Sequence, residues 1–390
     1  MGPNSASYFI ASQKTREAKM TSSKDFQMAR EIGRVPSSTV PLDAQEELRF
    51  QSLAEEAVMI DVHQHPFVLP EAMDRFIDFL RTNRYAWGFE AVKHGGWSTV
   101  TTSNVFGALQ NATDMSFVEY EDVAAEVGMM LADVSTQQDV VRVGNADEIL
   151  AAKQTGKVGF MPTLEHLPIG NRLERLDQLH SMGVRLAGIT YNRKNYIGDG
   201  QNERNPGGLS EFGIEAVHRM NDLGMAVDLS HASTPTAMDA IGFSKAPVVF
   251  SHNASYTLRP NGRTRKDGEL RACAAKGGLV CITAVPNSLS DDPEQDIECV
   301  LDHYDYMVNL IGVDHVGIGT DTVVGDHVLF HHYMLGRDLS EMPAAYLNGL
   351  ESPADGKNII RGLIRRGYSD TDIKKIVGGN ALDLFRRVMA

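Results

Sequence analysis

The chain has 390 residues, of which 42% are hydrophobic, and a formal net charge of −14 at pH 7. This length suits one barrel-type domain or two smaller domains, and the acidic balance argues against nucleic acid or an anionic membrane as a partner. The three cysteines have no zinc-binding spacing and argue against a disulfide framework, and no stretch reaches the roughly 18 apolar residues of a membrane span. Because the N-terminus lacks a basic segment followed by an apolar one, we expect a globular protein of the cytoplasm.

The first 45 residues are polar, mixed in charge and without a clear apolar period. This pattern predicts an N-terminal extension that is ordered only against another surface. From Leu42 onward the pattern changes, because Asp43 is placed to cap a helix over the residues that follow it. Residues 46–390 are predicted to form a single domain.

Short apolar runs then alternate with stretches of helical period. Strands are predicted near 57–62, 158–163, 185–190, 225–230, 247–251, 278–283 and 315–319, with a weaker candidate near 98–106. Helices are predicted near 171–182, 211–223, 234–242, 266–276 and 294–311. This alternation favours a parallel sheet, and about eight units favour an α/β fold of the (β/α)8 TIM-barrel type. The range of about 67–150 fits no simple unit, and we predict a helical insertion near the barrel mouth.

Two histidines one residue apart, His63 and His65, stand at the end of the first predicted strand. Residues i and i+2 of a strand point to the same face, so both imidazoles can bind one metal ion. The pair alone is weak evidence, since the chain has 13 histidines. It predicts a metal-dependent hydrolase only if further ligands converge on it.

Four other residues of metal-binding or acid–base type each follow a predicted buried strand. They are Glu165, His231, His252 and Asp321. Side chains at the C-terminal ends of different barrel strands converge on one pocket. We therefore expect all six residues to form one metal-dependent hydrolytic site, on the first, third, fifth, sixth and eighth barrel strands.

The segments around these residues resemble the renal-type membrane dipeptidases, which are binuclear-metal amidohydrolases. The resemblance runs in consistent order from about residue 45 to 390, through 61–66, 165–166, 183–185, 190–192, 228–233, 250–255, 314–321 and 378–381. It implies a (β/α)8 barrel that uses two divalent metal ions, zinc or else manganese or cobalt. It also implies hydrolysis of the amide bond of dipeptides, often with a D-residue at the C-terminal position, and a homodimer.

The resemblance assigns the metal ligands residue by residue. His63 and His65 would hold the first metal ion, His231 and His252 would hold the second, and Glu165 would bridge both. These assignments agree with side-chain chemistry, because a carboxylate has two oxygens and can span two cations, whereas a neutral imidazole offers one nitrogen to one ion.

The resemblance also implies the residues that act on the substrate. Asp321 would be the general base and acid beside a metal-bridging hydroxide, and Arg263 would bind the substrate carboxylate in a bidentate fork. Two positions depart from the family. His65 stands where an aspartate is usual, and Tyr191 stands where a substrate-binding histidine is often found. Either change can accompany a substrate other than an ordinary dipeptide.

Plainer interpretations of these residues stay open at the level of sequence. Glu165 can be a capping or surface acid, with His166 as the competing ligand, and Asp321 can cap the next helix. Arg263 can belong to a solvated basic loop, and Tyr191 can be ordinary packing.

Three functions are therefore weighed. A dipeptidase is the leading hypothesis, and a binuclear-metal amidase or lactonase that acts on another small molecule is the alternative. A catalytically silent metal-binding protein is disfavoured by the presence of Asp321. The pair His331 and His332 falls outside the strand-end pattern, and we predict a loop over the site or a surface position for it.

Overall fold

The central sheet is made of short parallel strands whose residues are mostly buried. The computed structural model describes residues 25–80, 82, 85–103 and 118–389. Its strands are β1 (Ile60–Asp61), β2 (Thr99–Thr102), β3 (Val140–Arg142), β4 (Val158–Leu164), β5 (Leu186–Gly188), β6 (Ala226–Asp228), β7 (Val249–Asn253), β8 (Leu279–Ile282), β9 (Gln295–Asp296), β10 (Val316–Ile318) and β11 (Leu347–Asn348). Eight of them follow one another in the order β1-β2-β4-β5-β6-β7-β8-β10, all parallel, while β3 pairs with β4 outside this path.

The two ends of this strand order meet at a seam between β1 and β10. Val62 N donates a hydrogen bond to Ile318 O at 2.9 Å. The buried Asp61 carboxylate accepts from Thr320 N at 3.0 Å and from Thr320 Oγ1 at 2.5 Å. These contacts draw the sheet round into a barrel, and the predicted (β/α)8 fold is confirmed.

Helices connect the barrel strands, as parallel strands require. The helices are α1 (Ala44–Glu56), α2 (Phe76–Leu80), α3 (Phe89–Gly95), α4 (Tyr120–Ser135), α5 (Ala146–Gln154), α6 (Glu174–Met182), α7 (Glu211–Leu223), α8 (Thr234–Phe243), α9 (Asp267–Ala275), α10 (Ile297–Ile311), α11 (His327–Leu335), α12 (Lys357–Arg365), α13 (Asp370–Lys374) and α14 (Asn380–Val388). The side chain of Asp43 caps α1, as predicted, and forms a capping box with Glu46. None of the described helices combines the length and apolar character needed to cross a bilayer.

The range 67–150, predicted as a helical insertion, contains both helices and a strand of the barrel. Its described part holds helices α2, α3 and α4, but also β2, which is the second strand of the barrel. The sequence of β2, Thr-Val-Thr-Thr, contains one apolar residue, so its hydrophobic signal is weak although all four residues are buried. The weaker strand candidate near 98–106 therefore marks a barrel strand, while the described helices of this range and strand β3 lie outside the barrel order.

The end of the predicted N-terminal extension lies against the barrel domain. Phe26, Ala29 and Val40 are buried, and Ala29 N donates to Leu69 O at 2.9 Å. Arg34 pairs with the carboxylate of Glu351. The described part of the extension thus packs on another surface, while the domain limit at residue 45 stays a prediction.

Candidate metal centre

The six residues expected at the metal site come together at the C-terminal ends of the barrel strands. Their side chains are buried, the most exposed being Asp321 at 13%. His63 and His65 follow β1, Glu165 follows β4, His231 follows β6, His252 lies within β7, and Asp321 follows β10. They belong to the first, third, fifth, sixth and eighth strands of the barrel order, as the sequence predicts.

One group of ligand-type side chains consists of His63, His65 and Asp321. Asp321 Oδ1 lies 3.2 Å from His65 Nε2 and 3.5 Å from His63 Nε2. Asp321 N also donates to His63 O at 2.8 Å, across the seam of the barrel. The backbone of Asp321 has φ 58°, in the left-handed region that non-glycine residues rarely adopt. Strain of this kind is typical of functional sites, where the surroundings hold a side chain in one direction.

The second group consists of Glu165, His231 and His252. Glu165 Oε1 lies 2.7 Å from His231 Nε2 and 3.4 Å from His252 Nε2, and these two nitrogens are 3.1 Å apart. The same carboxylate oxygen is 4.0 Å from His63 Nε2 of the first group. Glu165 therefore belongs to the second group and also approaches His63 of the first, as a bridging ligand would have to.

The protonation of three of these side chains, His231, His252 and Asp321, suits metal binding. Burial lowers the pKa of His231 and His252 well below the usual value, so both imidazoles are neutral and keep a lone pair. Burial acts to raise the pKa of Asp321, but the facing imidazoles of His252, His63 and His65 outweigh it and hold that pKa well below its usual range. Neutral imidazoles and an ionised carboxylate are the ligand forms that a divalent cation needs.

Polar contacts at the Nδ1 atoms orient the two imidazoles of the second group. Ser251 Oγ donates to Asp228 Oδ2 at 2.5 Å and lies 2.7 Å from His252 Nδ1. His231 Nδ1 lies 3.2 Å from Asn192 Oδ1. With Nδ1 engaged in this way, Nε2 of each imidazole is directed at Glu165 and is available as a ligand.

The first group lacks such support for its imidazoles. Among the described residues, Nδ1 of His63 and Nδ1 of His65 are buried without a hydrogen-bond partner. Asp61 instead accepts from the backbone nitrogen of His63 at 3.2 Å and from the side-chain nitrogen Nε2 of Gln64 at 2.7 Å. His63 Nε2 is likewise buried without a hydrogen-bond partner among the described residues. Such a nitrogen is costly to bury, and a metal ion bound at His63 Nε2 would satisfy it.

The two predicted substrate-binding residues line the same pocket as Glu165 and Asp321. Arg263 Nη1 donates to Ser230 O at 2.7 Å, which fixes one side of the guanidinium. The ring of Tyr191 stacks between two imidazoles, 4.0 Å from His166 and 4.1 Å from His231 between ring centroids. Burial raises the pKa of the Tyr191 hydroxyl well above its usual value, so the phenol keeps its proton and can donate it in a hydrogen bond.

Sequence reasoning missed the buried residues beneath the ligands and the helix above them. Asp61 stands two residues before His63, and Asp228 stands three residues before His231. An aspartate shortly before a strand-end histidine was the available signal. The pair His331 and His332, predicted as a loop or surface, lies within helix α11. Four residues of this helix and of the turn that follows it line the pocket: Phe330, His331, Met334 and Arg337.

A family model described as "Membrane dipeptidase (Peptidase family M19)" matches residues 47–390. The chain belongs to this family of membrane dipeptidases. The family resemblance expected from the sequence is therefore confirmed, and the chain is a divergent member.

Similar curated proteins come from fungi. "Dipeptidase tcpJ" of Claviceps purpurea is 32% identical over 247 residues, which are 62% of this chain and 54% of that protein. "Dipeptidase verJ" of Clonostachys rogersoniana is 32% identical over 240 residues, which are 61% of this chain and 57% of that protein. The matched part thus spans little more than half the length of these relatives.

Solved structures share the fold of this dipeptidase family member. An amidohydrolase from Pseudomonas aeruginosa superimposes with a TM-score of 0.73 at 24% identity, over 87% of this chain and 98% of the other. A metallo peptidase from Rhodobacter sphaeroides, solved with a phosphinate mimic of the dipeptide L-Ala-D-Ala, gives a TM-score of 0.67 at 21% identity, over 85% of this chain and all of the other. Both likenesses support the barrel architecture.

Proposed function

We propose that this member of the membrane dipeptidase family is a metal-dependent hydrolase that cleaves the amide bond of dipeptides. The observation that carries the proposal is the pair of ligand groups joined by Glu165 at the mouth of the barrel. Zinc is the metal we favour, since imidazole and carboxylate ligands suit it, with manganese and cobalt as the alternatives. The description of the fungal relatives as dipeptidases supports the substrate class.

The residues divide into two ligand sets in this proposal. His63 and His65 would hold one ion, His231 and His252 the other, and Glu165 would contact both. When bound, the ions would polarise the scissile carbonyl and lower the pKa of the attacking water.

Three further residues act on the substrate. Asp321, which is ionised and lies beside His63 and His65, accepts a proton from the attacking water and returns it to the leaving amine. Arg263 presents a guanidinium already fixed by Ser230 O, and binds the substrate carboxylate through its remaining donors. Tyr191 keeps its phenol proton and donates it in a hydrogen bond to the oxygen that becomes negative during attack.

A second candidate is an amidase or lactonase that acts on a small molecule other than a dipeptide. One observation favours it: His65 replaces the acidic ligand usual in the family, so the first group has one negative charge fewer. That change alters the charge that a substrate meets. Cytoplasmic location and homodimer formation stay predictions from the sequence.

The test is a substrate screen on zinc-loaded protein with L,L- and L,D-dipeptides, simple amides and lactones. We expect dipeptide turnover, and we expect Arg263→Ala to lower kcat/KM for dipeptides about 100-fold, as loss of one partner of a desolvated charge pair does. Arg259→Ala is the matched control, because Arg259 lies in the same loop but pairs with Asp291. Turnover of neutral amides or lactones alone, unaffected by Arg263→Ala, would favour the second candidate.

A further inference from the structure

The pocket above the metal centre is lined by two guanidinium groups and two carboxylates. Its described lining includes the guanidinium groups of Arg263 and Arg337, together with several imidazoles. The acids in that lining are Glu165 and Asp321, and both face histidines of the two ligand groups. This local balance contrasts with the net charge of −14 for the whole chain. Because both acids face histidines, the two guanidinium groups are the charged groups of this lining that an anionic ligand can pair with.

Arg337 is held in position by the turn that follows helix α11. Gly336 ends the helix in the left-handed conformation, and the carbonyl oxygen of Arg337 lies 2.7 Å from His332 Nδ1. The side chain of Arg337 is on the exposed side of the pocket, and it has no ion pair with an acid in the described part of the chain. Its backbone is therefore fixed while its guanidinium keeps its donors for a ligand.

The charge of Arg337 acts on His331, another residue of the pocket lining. Burial lowers the pKa of His331 well below the usual value, and the charges of His327 and Arg337 act in the same direction. Arg337 and Arg263 are thus two separate cations that act on one pocket, the first at its rim and the second at its base.

A zwitterionic dipeptide gives this pocket only one anion to bind. Its carboxylate would occupy Arg263, and its ammonium would meet a lining whose two acids are already committed to the metal centre and to proton transfer. A second anionic group on the substrate would use the donors of Arg337 in a charge-assisted hydrogen bond, which is stronger than a neutral one.

We propose that Arg337 is a specificity-determining residue, which binds a second anionic group so that the preferred substrate is an acidic dipeptide rather than a neutral one. This inference rests on the proposed function, because it names the substrate class of the same site. The second carboxylate would be the side chain of a glutamyl or aspartyl residue.

The experiment compares isosteric peptides that differ only in charge. Zinc-loaded protein is assayed with L-Glu-L-Ala against L-Gln-L-Ala, and with L-Ala-L-Glu against L-Ala-L-Gln, for the unaltered chain and for Arg337→Gln, Arg337→Lys and Arg386→Gln. Arg386 is exposed on α14, outside the pocket lining, so this control removes the same charge elsewhere. We expect kcat/KM about tenfold higher for one of the Glu peptides than for its Gln partner, which corresponds to about 1.4 kcal/mol.

Arg337→Gln should abolish that preference while the Gln peptides change less than about twofold, and Arg337→Lys should keep part of it, since charge remains but the fork is lost. Arg386→Gln should leave it intact. The same peptides are titrated into the zinc-loaded Asp321→Asn variant by calorimetry, with and without Arg337→Gln, so that binding is read without turnover. Equal affinity for Glu and Gln peptides would overturn the role of Arg337, whereas a Glu preference in binding without any hydrolysis would overturn the proposed function alone.

Discussion

The two ligand groups of the metal centre differ in what holds their imidazoles. In the second group, His252 Nδ1 lies 2.7 Å from Ser251 Oγ, which in turn donates to Asp228, and His231 Nδ1 lies 3.2 Å from Asn192 Oδ1. In the first group, Nδ1 of His63 and of His65 has no hydrogen-bond partner among the described residues. The first group is positioned by the backbone of the barrel seam and by ring contacts, since His63 stacks on His252 with ring centroids 3.5 Å apart.

The second group is therefore preorganised by its hydrogen bonds, whereas the first group depends more on the metal ion that it binds. Outer hydrogen bonds fix the ring orientation and raise the basicity of a ligating histidine. We therefore expect the group of Glu165, His231 and His252 to hold its metal ion more tightly than the group of His63, His65 and Asp321. Three substitutions test this difference in stability and metal affinity, in order of decreasing expected effect.

The largest effect is expected from Asp321→Asn in the first group. The amide cannot take up a proton, so we expect kcat to fall about 10³-fold, within the usual contribution of general acid–base catalysis. Steady-state kinetics on zinc-loaded protein measure this. Asp314→Asn is the matched control, because Asp314 is an exposed acid just before the same strand, paired with Lys375. Hydrolysis at an undiminished rate in Asp321→Asn would remove Asp321 from the mechanism.

Gly319→Ala should disrupt the close packing of the end of strand β10 against the backbone of Ser251. A Cβ at Gly319 would lie 1.6 Å from Ser251 O, so the end of β10 would have to move away from the serine that supports His252. We expect a loss of about 3 kcal/mol in the free energy of unfolding, at the upper end of ordinary overpacking. Urea denaturation measures it. Gly268→Ala in helix α9 is the control, since no atom lies within 4 Å of its Cβ and helix propensity favours alanine.

Ser251→Ala should reduce the difference in zinc affinity between the two groups. It removes the hydroxyl between His252 Nδ1 and Asp228, and we expect the affinity of the second group for zinc to fall about 10- to 100-fold, as when other outer-shell partners are removed. Competition with a fluorescent chelator measures the two affinities. Ser244→Ala, at a buried serine that bonds Ala246 O instead, should leave both unchanged. If both groups weaken equally in Ser251→Ala, the contrast between them is wrong.

The strand-end positions of the ligands could be predicted from sequence because each follows a short apolar run. Glu165, His231, His252 and Asp321 each stand next to such a run, and parallel barrel strands bring their C-terminal ends together. The alternation of strands and helices also predicted the barrel. Helix α7 was predicted with its observed bounds, because Ser210 caps its start and Gly224 its end.

The supporting residues could not be predicted in the same way. Asp61, Asp228 and Ser251 are polar residues within or beside buried strands, and their partners lie on other strands, so only the folded register brings them together. Strand β2 was weak in sequence because three of its four residues are threonine. Helix α11 follows the last barrel strand, outside the strand and helix alternation on which the prediction rested.

A zinc titration of metal-free protein would show whether the chain has a two-metal centre with unequal halves. Calorimetry would give the number and affinity of the sites, while dipeptide turnover is followed in the same samples. We predict two equivalents of bound zinc in two resolved steps, with turnover arising mainly in the second step, as the group of His63, His65 and Asp321 fills. Saturation at one equivalent, or full turnover after the first step, would contradict the account.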